Sequence, residues 1–262
     1  MFWIQVCEEV LTAEILSGIF STEQTDGRFA NWMEGTMTRI VKERTERRNE
    51  ILDVAQRLVI TKGYEQMTIQ DILDALQISK GAFYHHFDSK QALLEALVER
   101  MGEEAVQLML PIVHDPALAA LDKFQRYLDT LNRWKVGRKA FFLALLRVWF
   151  TDDNAIVRQK LRAIGIQVVA PLLTVIIRQG IQEGVMTATY PDQAGEVIAA
   201  LAQDAGEAIG TLLLSFDAKG GDLQRVERAV SAYTEAFERI LGMPAGSLVI
   251  VDTETLKEWF FS

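Results

Sequence analysis

The sequence predicts an all-α fold, and three observations lead there. Only 5 of 262 residues are proline, and long stretches contain no helix breaker. Apolar residues recur at spacings of three and four in successive segments, which is the period of one helical face. Ser, Thr or Asp stands just ahead of most of these segments, where a side-chain oxygen takes up a free N–H of the first turn. The length suggests one large or two small domains, and an apolar share of 49% supplies a sizeable core. No run of eighteen apolar residues occurs, which argues against a membrane span. The single cysteine, Cys7, excludes an intrachain disulfide and fits a reducing cytoplasm.

Taken in order, Met1 to Phe20 is apolar with Glu8, Glu9 and Glu14 interspersed, and Ser21 to Gly27 is polar. They lack the basic start and small-residue cleavage site of a signal peptide. A short helix from Val6 to Ile19 is one expectation. Met33 and Met37 are alternative starts, so an origin in an upstream start codon competes with a real extension. A first firm helix is expected from Glu43 to Thr61, with Ile51, Leu52, Ala55, Leu58 and Val59 as its buried stripe. Gly63 follows as a left-handed C-cap.

Thr68 caps a short second helix, with Asp71 three residues on in the manner of a capping box. Gln77 and Ile78 make a turn, and Ser79 caps a third helix, Lys80 to His86. Asp88 is the expected cap of a fourth, ending before Pro111. Beyond it, Asp115-Pro116 opens a helix as cap and first residue. Arg138 to Phe150 is apolar nearly all round, which places it centrally. A long helix to Glu183 contains Pro171, expected to kink it and to act as a hinge. Two more helices follow, from Pro191 and from Asp222. The segments are thus an extension at 1–38, a helical unit at 44–106, a larger helical body at 112–242 and an apolar tail at 243–262, helix or strand.

The spacing at Thr68–Lys90 is that of a helix-turn-helix, whose second helix enters the major groove of DNA. Helix N-termini at Thr68 and Ser79 suit phosphate oxygens. Lys80, Gly81 and Ala82 form the end that faces base edges, with the Ala82 methyl suited to a thymine methyl. Tyr84 and His85 lie on the exposed side, and Phe83 and Phe87 on the side of a core. Arg47 and Arg48 add basic charge upstream. Lys90 opposes its own helix dipole, which makes sense beside a phosphate. Net charge is −9. From Thr36 to Lys90, however, nine basic residues outnumber eight acidic ones, and phosphates sense the field within a Debye length of about 8 Å. Short capped helices also occur in bundles that bind no DNA, so spacing by itself leaves both readings open.

The run I-S-K-G-A-F-Y-H-H-F-D-S-K (78–90) resembles the signature of the tetracycline-repressor (TetR) family of transcription regulators. R-R-N-E-I-L-D-V-A-Q-R-L-V-I-T-K-G-Y-E-Q-M-T-I-Q-D-I (47–72) resembles the family's preceding helix and link. The match spans Glu46 to Arg100. It implies a homodimer with two helix-turn-helix heads on a helical ligand-binding and dimerisation body. It also implies phosphate contacts from Thr68, Tyr84, His85 and Lys90, and base reading over Ser79 to Phe83. The family has Gly where this chain has Gln77, and a small residue is common at Leu73.

In the body, Gly195, Ala199, Ala202, Gly206 and Gly210 form a small-residue stripe, as do Ala229, Ala232 and Ala236. Two such helices from each of two chains would make a four-helix interface, and packing inside one chain is the alternative. Phe124, Tyr127, Trp134, Phe142, Leu145, Trp149 and Arg178 are candidate linings of a hydrophobic ligand cavity. No P-loop, dinucleotide motif or nucleophile–base set appears, so no enzyme is expected. His85, His86 and His114 make no metal pattern with Cys7, and no cofactor is expected. The expected partners are a palindromic operator, a small-molecule effector and a second copy, with no membrane and a cytoplasmic, nucleoid-associated location. A repressor is the leading form. An activator, or control by a protein partner, is the alternative.

Overall fold

A computed structural model describes residues 27–219 and 223–261, with side chains at 45–215 and 223–259. The described residues contain helices and no strand. Ten α-helices follow in order: α1 (Gly27–Lys62), α2 (Ile69–Leu76), α3 (Lys80–Tyr84), α4 (Lys90–Val113), α5 (Ala120–Val136), α6 (Lys139–Trp149), α7 (Ala155–Gln182), α8 (Pro191–Lys219), α9 (Leu223–Ile240) and α10 (Thr253–Phe261). The chain divides into two units, Met1–Asn49 and Glu50–Ser262. The second unit holds both the helix-turn-helix head and the helical body. The expected helix Val6–Ile19 and the cap at Asp222 lie outside the described residues.

The head is built on α1 from Glu50 onward, α2, α3 and the start of α4. Ile51, Leu52, Ala55 and Val59 meet Ile72, Phe83, Phe87, Leu93 and Leu97 in one buried core. Helices as short as α2 and α3 do not persist in water unaided, so this shared core and their caps hold them. Arg100 on α4 closes the rear of the head, donating to Asp53 and Gln56 on α1 at 2.6 Å each.

The body core joins the end of α4, α5, α7, α8, α9 and the segment after it, with Phe124, Tyr127, Leu173, Ile176, Ile177, Ile198 and Phe237 at its centre. α7 and α8 pack along each other where glycines permit it. A Cβ on Gly195 would collide with Thr174 of α7 and stand 2.9 Å from the Ala170 carbonyl, while Gly210 makes room for α6, where a Cβ would meet Leu146 at 3.0 Å. Both helices are long and apolar enough to cross a membrane by length and composition. That is weak grounds for a span, because core helices pass the same test, and these two carry Arg158, Lys160, Arg162, Asp192 and Glu196.

Several expectations are corrected. α6 is not central to the body: its Phe141, Leu145 and Val148 complete the core of the head. Ser89, not Asp88, caps α4, accepting from Ala92 N at 3.0 Å. α4 runs through Pro111 to Val113, since a proline removes only its own N–H and His114 N closes the end on the Leu110 carbonyl. Asp115-Pro116 opens a turn, with Asp115 accepting from Ala117 N, and α5 starts later at Ala120. No side chain of its own caps α5. Instead Glu183, from the end of α7, accepts from Ala120 N at 2.9 Å. That bond, then one from Gln179, keeps the Glu183 carboxyl below its ordinary pKa. The tail supplies a helix, α10, capped by Asp252 through Thr255 N at 2.8 Å.

Candidate nucleic-acid interface

Thr68 and Asp71 form a reciprocal capping box. Asp71 N donates to the Thr68 hydroxyl at 3.1 Å, and Thr68 N donates to the Asp71 carboxylate at 2.9 Å. Lys62 lies against the same carboxylate. The Lys62 bond, followed by the bonds from Thr68, draws the Asp71 pKa down to about 2. The Thr68 hydroxyl also donates to Asp71 at 2.9 Å, so within the chain its proton is engaged in the box.

α2 ends on Gln77 in the left-handed conformation (φ 52°, ψ 42°), where its N–H reaches the Leu73 carbonyl. It is the one non-glycine with positive φ among the described residues. The turn is therefore left-handed without the glycine that the family has there, and Leu73 packs inward at 6% exposure. Ser79 then caps α3, accepting from Ala82 N at 3.1 Å.

Helical periodicity sorts the short α3 into two sides. Phe83 is fully buried and packs on Phe87 at 5.9 Å, so it belongs to the core and is removed from the base-reading set. Lys80, Gly81, Tyr84 and His85 are exposed, and Ala82 is half-buried. The Lys80 ammonium stands 5.8 Å from the Tyr84 ring centre. Gly81 has an ordinary helical backbone, and a Cβ there would meet only Ser79 Oγ, at 3.8 Å. The fold itself does not demand glycine at this position.

Lys90 is held more firmly than the sequence indicates. Its ammonium donates to the Glu65 carbonyl at 3.1 Å and lies 4.4 Å from the Tyr64 ring centre. The Tyr64 hydroxyl returns a bond to the Lys90 carbonyl at 3.3 Å. Burial lowers the Lys90 pKa and raises that of Tyr64 to about 12. Tyr64 and Lys62 are the residues that sequence reasoning missed. The usable signal was the aromatic directly after the Gly63 C-cap, four residues before the capping box. Arg47 is exposed and Arg48 half-buried on α1, in the first unit.

The candidate ligand residues do not converge on one space. Phe124 and Tyr127 are in the body core, and Leu145 is in the head core. Arg178 is exposed and pairs with Asp192 at 2.6 Å. Trp134 and Phe142 meet edge to face, while Trp149 is half-buried and its carbonyl accepts from Arg158. The small-residue stripe also divides. Gly195, Ala199 and Gly210 are consumed by packing within the chain, whereas Ala202, Gly206 and Ala232 are exposed and Ala229 and Ala236 half-buried. Asp204 and Glu207 face Arg162, with Tyr233 donating to Asp204. Among the described residues no cluster suited to a metal occurs.

Residues 51–97 match the family model for bacterial regulatory proteins of the tetR family, and residues 148–205 match a tetracyclin repressor-like C-terminal domain. The HTH-type transcriptional repressor KstR2 of Rhodococcus jostii is 42% identical over 52 residues, 20% of this chain and 26% of that protein. The HTH-type transcriptional repressor Rv1474c of Mycobacterium tuberculosis is 39% identical over 97 residues, 36% of this chain and 50% of its own. The chain thus spans a quarter to a half of these two relatives. A TetR transcription regulator from Haloarcula marismortui shares the fold, with a TM-score of 0.58 at 21% identity over 75% of this chain and 99% of that one. The family consists of transcription regulators, not enzymes. The helix-turn-helix head thus matches the tetR family of bacterial regulatory proteins, and part of the helical body matches a tetracyclin repressor-like C-terminal domain.

Proposed function

We propose that this protein is a homodimeric transcriptional repressor that leaves its operator when a small hydrophobic molecule binds its body. The observation that carries the DNA-binding part is the exposed row Lys80, Gly81, Tyr84 and His85 on a helix anchored from behind by Phe83 and Phe87. A cation, a position without a side chain and two aromatic hydrogen-bonding groups are what a major-groove helix needs at its N-terminal end. Phosphate contacts come from Tyr84, His85, the N-terminus of α2 and Lys90. The pinning of Lys90 by Glu65 and Tyr64 sets its position before DNA arrives.

Dimerisation uses the exposed sides of α8 and α9, through Ala202, Gly206 and Ala232, with Val197 and Ile240 as apolar neighbours at 49% and 39% exposure. Two heads then read half-sites related by a two-fold axis. The protein acts in the cytoplasm, on the nucleoid. Selection of bound duplexes from a random pool tests this reading. A palindrome is the expected product, bound at least tenfold more weakly by Lys80→Ala or Tyr84→Ala. Recovery of no sequence above background by the intact dimer would overturn it.

A further inference from the structure

The indole N–H of Trp134 has no hydrogen-bond partner although the residue is 9% exposed, and it is the one buried side-chain polar atom in that condition among the described residues. Buried donors in folded proteins are almost always paired, and an exception asks for an acceptor from elsewhere. The surroundings define what that acceptor is. Phe142 stands edge-on to Trp134 at 5.5 Å and 83°, and Trp259 of α10 stands edge-on to Phe142 at 6.4 Å and 89°. The Arg138 guanidinium lies 4.9 Å from the Trp134 ring centre. Lys135, the next residue on α5, has its ammonium pKa lowered by burial. Three aromatic rings select a flat apolar body, and an unpaired indole N–H with a guanidinium over the face of the same ring selects an anionic acceptor.

The C-terminal segment closes this place. Its backbone is clipped to α5 and α6 by side chains. Gln125 both donates to the Val249 carbonyl and accepts from Val249 N, at 2.9 Å each. Asn132 donates to the Ile250 carbonyl at 2.6 Å, and Lys139 to the Glu258 carbonyl at 2.8 Å. Leu256 packs with Val226 and Val230 in a small core separate from the two main ones. Met243, Leu248 and Ile250 anchor the start of the segment in the body core, whereas α10 is held by the Lys139 clip and the minor cluster and so opens at lower free energy than the core helices. The segment lies outside both stretches that match the family.

We infer that Trp134, Phe142, Trp259 and Arg138 form the effector site, that its ligand is a planar aromatic anion such as a carboxylate, and that α10, hinged on the core-anchored segment before it, is the strap over it. The inference rests on the reading of the protein as ligand-responsive and names the place and the class of the ligand. It also supplies a route to the head. Arg138 is paired with Glu104 of α4 at 3.0 Å, and both side chains are partly exposed. α4 follows α3 directly and shares the head core. A ligand carboxylate that takes Arg138 from Glu104 therefore loosens α6 from the helix that carries the reading unit. An exposed pair of this kind is readily exchanged.

The test is calorimetric titration of the full-length protein, without DNA, with benzoate, 2-naphthoate and anthracene-2-carboxylate. At least one is expected to bind saturably, one per chain, and at least tenfold more tightly than its neutral carboxamide. Trp134→Phe and Arg138→Gln are each expected to weaken that binding about tenfold. The bound probe is expected to change amide hydrogen exchange over α10 of the unaltered protein, a readout that does not depend on how a variant folds. Saturable binding by none of the three acids, or no exchange change in the strap, overturns the inference. An affinity left unchanged by both substitutions overturns it too. Duplex binding is measured on the same samples. If selected DNA binds and no acid does, only this inference fails; if acids bind and no duplex does, the regulatory reading fails and the site stands.

Discussion

Gln77 stands where only a left-handed backbone completes the turn (φ 52°). A non-glycine residue there carries about 1 kcal/mol of strain. Gln77→Gly is therefore expected to stabilise the protein by up to about 0.5 kcal/mol in urea unfolding, most of the relief being offset by glycine's greater freedom in the unfolded chain. A second residue separates stability from recognition. Gly81 sits in a helix with open space outside it, so Gly81→Ala should raise stability by up to about 1 kcal/mol. With the proposed docking of α3 in the major groove, that space is taken by DNA, so the added methyl is expected to weaken binding of the selected duplex. Equal duplex affinity in the two proteins would place the groove elsewhere. Asp71 sets a pH dependence. Its folded pKa of about 2 lies below the ordinary 3.8, chiefly because of Lys62. Its contribution is present above about pH 4 and is lost as pH falls toward 2. Asp71→Asn should remove that part of the acid destabilisation, read as a shallower fall of melting temperature between pH 5 and pH 2.

At the scale of elements, helix starts depend on whichever group is nearest, and that group need not be local. The caps at Thr68 and Ser79 were legible because each side chain bonds to its own first turn. The cap of α5 was not, since its acceptor is Glu183, 63 residues away. The same joint contains Lys123, 4% exposed, whose ammonium donates to the Val113 carbonyl at the end of α4 at 2.9 Å. α4, α5 and α7 are thereby tied at one corner. The packing of α7 on α8 is equally specific. Gly195→Ala should cost about 1–3 kcal/mol by overpacking against Thr174 and the Ala170 carbonyl. Thr174→Ala in the same chain should recover part of that loss, and a chemical-denaturation cycle over the four proteins checks it. No recovery would assign the cost to the carbonyl contact.

At the scale of the whole molecule, net charge and DNA binding are reconciled by distribution. The chain carries −9 overall, while Lys80 and the tethered Lys90 serve the head. Duplex affinity is expected to fall steeply with added salt, log affinity being linear in log salt concentration. A salt-independent affinity measured by fluorescence anisotropy would contradict the phosphate contacts. The exposed small residues of α8 and α9 give the matching expectation for assembly. Gly206→Glu with Ala232→Glu should yield a monomer in sedimentation equilibrium, with operator affinity lost and helicity retained.

The sequence by itself determined the helix-turn-helix, its caps and left-handed turn, the helical class of the body and the family resemblance. These features rest on periodicity and on bonds between residues three to five apart, which the order of residues specifies directly. Only the tertiary structure decided which helix α6 would serve, what caps α5, how the small-residue stripe divides and which aromatics meet. An apolar residue such as Leu145 or Phe124 has the same affinity for any core, so its sequence position cannot choose between two. Trp134 and Trp259, 125 positions apart in the chain, flank Phe142 because the tail folds back over α5 and α6. That closure depends on clips between side chains and distant backbone, which no local pattern encodes.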